Sequence, residues 1–178
     1  MTWGSYRHDL ITATLALSGT NSAGAPPKAS TAWTCAAIQS GSVCVQLAQA
    51  KVPVFVDALA DLPADFDQIG ATLENAARLD AAGVGVGFSQ AGDASHNARK
   101  IRQLAGNAVA NGLPWEDGLA GLTRVPAETF GVGDRVGTIA PGKLDDLVLW
   151  SGDPLDVAHT AQQVWLRRRA MPMASRPP

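Results

Sequence analysis

"VGVGFSQAGDASHNARKIRQ", residues 84 to 103, is the stretch on which the reading of this chain turns. A short apolar run at 84–88 ends in a polar loop, and a helical pattern follows. Apolar residues alternating with Gly85 and Gly87 suit a buried strand that something approaches closely, because glycine removes the side chain that would hold a neighbour off. Asp93 and His96 stand where strand gives way to helix. Two roles are open to Asp93 there. It can be a working carboxylate at a strand end, or it (or Ser95) can cap the orphan N–H groups of the next helix.

The flanks repeat the same alternation. "KVPVFVDALADLP" (51–63) holds a β-branched apolar run closed by polar residues and proline, which predicts a strand. In "DFDQIGATLENAARLDAAG" (65–83), Phe66, Ile69, Leu73, Ala76, Ala77 and Leu79 fall near helical spacing, with Asp65 placed to cap and Gly83 to terminate. "ASHNARKIRQLAGNAVANG" (94–112) predicts a second helix, capped by Ser95 and ended by Gly112. "PWEDGLAGLTRVPAETFG" (114–131) predicts a third, from Pro114 to Gly131. Residues 51–131 therefore read β-α-β-α-α, with crossovers long enough to make 52–56 and 84–88 parallel neighbours.

Beyond Gly131 the pattern becomes β-rich. "DRVGTIAPGKLDDLVLWSGDPLDV" (134–157) has a Pro141-Gly142 turn, then Lys143 with its charge in solvent. Asp145 and Asp146 precede "LVLW", a strand expected to pack on at least one face. These residues read as structural. "AQQVWLRRRAM" (161–171) reads as the last strand.

Composition limits the function classes. The chain has 178 residues, 46% of them apolar, and a net charge of −2. Without a basic surplus, neither nucleic acid nor an anionic membrane is an expected partner. Cys35 and Cys44 are too far apart for a zinc pair and read as small buried thiols. The start, with Arg7 and His8 before "LITATLAL", has a faint signal-peptide cast, but Asp9 and the minimal apolar core oppose it, so a cytoplasmic location is expected.

"VGTIAPGKLDDLVLWSGDPL" resembles the carboxy-terminal signature of the amidohydrolase superfamily, and "HNARKIRQLAGNAVANGLPWEDGLAGLTRVPAETFGV" resembles the segment before it in the imidazolonepropionase-like branch. "KVPVFVDALADLPADFDQIGATLENAARLDAAGVGVGFS" looks like the last two strand-helix units of the barrel of that family. The resemblance spans about residues 47–171. It implies an α/β fold: the last two β-α units of a TIM-type (β/α)8 barrel over 47–131, an incomplete barrel, then strands of a small β-sandwich over 132–178. Residues 1–46 are left unassigned.

The resemblance also implies hydrolysis of non-peptide carbon–nitrogen bonds in cyclic or linear amides, at the carboxyl ends of the barrel strands. On that reading Asp93 is the catalytic carboxylate, and Ser89, Gln90, His96 and Asn97 form the rim. Complete members carry a divalent metal, zinc, held partly by a His-x-His pair. No such pair occurs here, and His8, His96 and His159 stand apart. The chain alone is thus expected to bind no metal and to be inactive, acting on a small-molecule amide only if another chain completes the barrel. Open barrel edges invite that association. Two alternatives stand beside this reading: a non-catalytic structural or interaction remnant of an amidohydrolase, and an independent small-molecule-binding domain using the glycines of "GVGVGF".

Overall fold

The computed structural model describes residues 33–34, 41–59, 72–90 and 100–173. Strand β1 (Trp33–Thr34) precedes helix α1 (Gly41–Gln49), then β2 (Val54–Val56), α2 (Asn75–Ala81), β3 (Val86–Phe88), α3 (Ile101–Ala110), α4 (Trp115–Leu122) and α5 (Arg124–Thr129). Three strands follow: β4 (Leu147–Trp150), β5 (Ala161–Leu166) and β6 (Arg169–Ala170). The first three strands form a parallel sheet in sequential order, with Val54 opposite Val86 and Val56 opposite Phe88. The parallel pairing expected between 52–56 and 84–88 is therefore present. A strand in the unassigned first segment, β1, adds to it, and α1 runs across the 46/47 boundary. At two residues, β1 is too short to show a period.

Every residue of β2 and β3 is buried, which explains why both runs lack strand-like polar alternation. Leu79 of α2 and Leu104 of α3 are fully buried beside them. The room left at Gly87 is taken by the ring of Phe55, since a Cβ there would lie 2.6 Å from that ring. The space beside Gly87 is thus used for packing.

Four helices end in one motif. After α2, the N–H of Gly83 donates to Asp80 O and that of Val84 to Leu79 O, with Gly83 at φ 84°. Gly112 and Leu113 repeat this after α3, and Gly131 and Val132 after α5, at φ 101° and 71°. These are Schellman caps, in which a left-handed residue turns the chain so that orphan carbonyls find donors. All three glycines sit where the sequence placed helix stops. The cap after α1 has the same bonds, from Lys51 to Ala48 O and from Val52 to Leu47 O, but holds a lysine at φ 52°. The expected starts at Asp65 and Ser95 lie outside the described residues.

The third expected helix is two. Its axis breaks at Thr123 (φ −126°, ψ −77°) between α4 and α5. Pro126 explains the break: in a continuous helix its ring would strike the carbonyl of Leu122, whereas in the first turn of a new helix its missing N–H costs nothing. Pro114 serves as the residue before α4, its carbonyl accepting from Asp117 and Gly118.

The tail departs from expectation at three points. Lys143 is half-buried, and its Nζ donates to Gly133 O (2.7 Å) and to the Thr138 hydroxyl, pinning the loop that the Pro141-Gly142 turn closes. "LVLW" is not covered: Leu147, Val148 and Leu149 are 37%, 45% and 50% exposed, because β4 pairs only with β5 and no second layer lies over it among the described residues. "AQQVWLRRRAM" is also not one strand. It folds back at Arg167 and Arg168, both at positive φ, to make the antiparallel pair β5–β6. Asp146 accepts the Arg167 N–H at 2.8 Å and Asp145 pairs with the Arg168 guanidinium, so the two aspartates brace a turn that lacks glycine.

Two substitutions check the capping account by chemical denaturation. Gly112→Ala will lose about 1 kcal/mol, the cost of a Cβ in the left-handed region. Lys51→Gly will gain up to about 1 kcal/mol, since it removes that cost from the one lysine cap.

Candidate active site at the strand ends

Parallel strands carry their site-forming loops at their carboxyl ends. The Ser89 N–H donates to Val56 O at 3.0 Å, which extends the β2–β3 register by one residue and sets Asp57 beside Ser89. Asp57 Oδ1 accepts the Leu59 N–H at 3.1 Å and so shapes the loop leaving β2. Asn107, from α3, donates its amide to Ala58 O and ties that loop to the helix layer. Asn75 begins α2; it is 2% exposed, and its amide nitrogen has no partner among the described residues.

Of the residues singled out from the sequence, Ser89 and Gln90 are half-buried at this end. Asp93, His96 and Asn97 lie outside the described residues, as do His8 and Cys35. Cys44 is a buried free thiol of α1, and burial pushes its pKa up. His159 is far along the chain, its ring stacked on Gly152 and 3.9 Å from an Asp156 oxygen. Sequence reasoning passed over Asp57, although the signal was present: it is the first polar residue after "VPVFV", in the position that Ser89 holds after "VGVGF".

The described residues do not fit a divalent metal. Nowhere among them do three or more histidine, cysteine, aspartate or glutamate side chains converge. An open groove of about 570 Å³ lies between α3 and residues 153–157, lined by Leu59, Asn107, Val109, Leu155 and Val157. Ser89 and Gln90 are not part of it.

The strap at 151–160 borders this groove and is fastened to the helices. Leu155 is buried, with its carbonyl against Gly106 of α3 and its side chain against Gly118 of α4, where added Cβ atoms would fall 2.4 and 3.3 Å away. Asp153 accepts the Leu155 N–H (2.9 Å) and the Trp115 indole N–H (3.0 Å). Those bonds, the backbone one first, lower its pKa, with a smaller contribution from His159.

A sheet of sequential parallel strands with helices between them defines a protein of the α/β class, in which sites sit at the carboxyl ends of the strands. The chain belongs to the amidohydrolase family, whose profile matches residues 26–172. That match begins within the segment that sequence reading left unassigned. A crystal structure of an amidohydrolase from Thermotoga maritima is similar, with 31% identity and a TM-score of 0.62, over 73% of this chain and 34% of that one. A prolidase crystallised with N-methylphosphonate-L-proline shares the fold at 18% identity and a TM-score of 0.53, over 74% and 38% of the two chains. "Amidohydrolase tasK" of Hapsidospora irregularis is 40% identical over 70 residues, 39% of this chain and 7% of that protein. The chain thus spans about a third of the Thermotoga structure and a small part of the fungal relative.

Two carboxylates give opposite pH responses. Asp153 has a lowered pKa, so its bonds stabilise the strap above the ordinary carboxylate range and are lost as pH falls through the lowered value. Asp80 has a raised pKa, from burial first and Asp117 second, so its ionisation destabilises the fold as pH rises through that value. Asp80→Asn will therefore be more stable than the parent at neutral pH and equal to it in acid, as thermal unfolding across pH will show. Asp153→Asn will shift Trp115 fluorescence at neutral pH.

Proposed function

We propose that this chain is part of a hydrolase acting on non-peptide carbon–nitrogen bonds of cyclic or linear amides, and that its share of the site is the carboxyl end of β2 and β3. The family match supports the hydrolytic class, and the side-by-side placement of Asp57 and Ser89 carries the choice of this end. Three parallel strands represent part of a (β/α)8 barrel, whose remaining strands supply the rest of the pocket. A divalent metal held by residues of those other strands would supply Lewis acidity toward water. Asp93, five residues past β3 in the sequence, takes the proton of the attacking water. Ser89, Gln90, His96 and Asn97 line the rim and orient the amide.

A second reading, a non-catalytic interaction remnant of an amidohydrolase, draws support from the exposed apolar residues of β4. Activity separates the two. The purified chain is to be assayed on a panel of lactams and N-acyl amides, alone and co-expressed with the part of the Thermotoga maritima enzyme that it does not match. The expected result is no turnover alone and turnover in the pair. Asp93→Asn will then lower the rate about 10²- to 10⁴-fold, the usual loss when a proton acceptor is removed. If Asp93 only caps a helix, Asn will replace it without loss of rate, while Asp93→Ala will cost about 1 kcal/mol of stability. An inactive pair would favour the remnant.

A further inference from the structure

Arg102 is in the wrong place for its own helix. It occupies the first turn of α3, where the helix dipole disfavours a cation and no acidic residue compensates. Its partners come instead from 52 to 57 residues along the chain. Nη1 faces three main-chain carbonyls of the strap, His159 O at 2.8 Å and Pro154 O and Asp156 O at 3.3 Å each. The guanidinium carbon lies 4.7 Å from the ring centroid of Trp150, the last residue of β4. Three carbonyls converging on one nitrogen suit a cation over a neutral group, and the aromatic face beside them suits a planar one.

We propose that residues 150–160 form a guanidinium-recognition cradle, filled in cis by Arg102, and that this contact is a latch holding the strap and the β4–β6 sheet onto the helical layer. The strap is otherwise self-bonded. The Ser151 N–H donates to Thr160 O, the Thr160 N–H to the Ser151 hydroxyl, and the Ala158 N–H to Asp156 Oδ1. These bonds are short-range and largely solvent-facing, so they open once the strap leaves α3 and α4, and the contacts to those helices are what keep them closed. Those are the Arg102 cradle, the Asp153–Trp115 bond and Leu155. The latch thus marks a boundary between two units of unequal local stability: strap plus β4–β6, and the β1–β3 layer with its helices.

Hydrogen–deuterium exchange on the full chain, compared between parent, Arg102→Ala and Arg102→Lys, tests this. In Arg102→Ala the amides of Ser151, Leu155, Ala158 and Thr160 will exchange at least about tenfold faster, the size expected for losing one charged hydrogen-bond set. The amides of Val54, Val84 and Leu113, which report the β1–β3 layer, will stay as in the parent. Methylguanidinium will restore slow exchange in the strap, and methylurea, its neutral counterpart, will not. Arg102→Lys will fall between, because an ammonium keeps the charge but not the planar face that lies over Trp150. Unchanged strap exchange in Arg102→Ala overturns the latch, as does equal acceleration at all amides. Rescue by methylurea, or by neither compound, overturns the cradle. Should Arg102→Ala not fold, Arg102→Lys carries the same comparison, and failure of both to fold counts against a local latch.

Discussion

Helix α4 lies closer to its neighbours than any side chain would permit, and the arrangement of the other elements follows from that approach. At Gly121 a Cβ would stand 2.6 Å from the Phe88 ring and 2.8 Å from the Val86 carbonyl. At Gly118, one turn back, it would stand 2.5 Å from Val109 of α3. One short helix therefore touches β3, α3 and Leu155 of the strap at once. Interiors pack near crystal density, so a shift of α4 by one methyl width would be felt on all three sides. The dipole adds a small favourable part, since Glu116 and Asp117 occupy its first turn.

Because α4 is fixed this way, the chain can place a β-rich tail without a large interface of its own. The tail reaches α5 at Gly137, and it reaches α3 and α4 through one strap, by Leu155 against two glycines, Asp153 on the Trp115 indole and Arg102 in the carbonyl cradle. Its strands gain little burial, and Leu147, Val148 and Leu149 stay exposed. Apolar exposure on an edge strand is normally disfavoured because it templates association. The chain spans about a third of a structurally similar amidohydrolase.

Asp57 and Ser89 meet because β2 and β3 pair in parallel at one register, and Asn107 holds the first of the two loops. The described residues offer hydrogen-bonding groups there but no set of metal ligands. The parallel register and the Asn107 bond set where these two strand ends lie.

What the sequence determined alone was local. Helix stops at Gly83, Gly112 and Gly131, the Pro141-Gly142 turn and the two buried runs at 54–56 and 86–88 each depend on the conformational preference of one or two residues, and that preference is written in the residue itself. The break at Thr123 was legible too, in Pro126, but the continuing apolar period masked it. The tertiary structure decided the rest. Nothing in the residue Gly121 says that a carbonyl will lie against it, nor in Arg102 that three carbonyls some fifty residues away will receive it. Lys143 read as a solvated charge until the chain folded back and set the Gly133 carbonyl beside it. Long-range contacts depend on which surfaces meet, and a one-dimensional pattern records only what each residue prefers before they do.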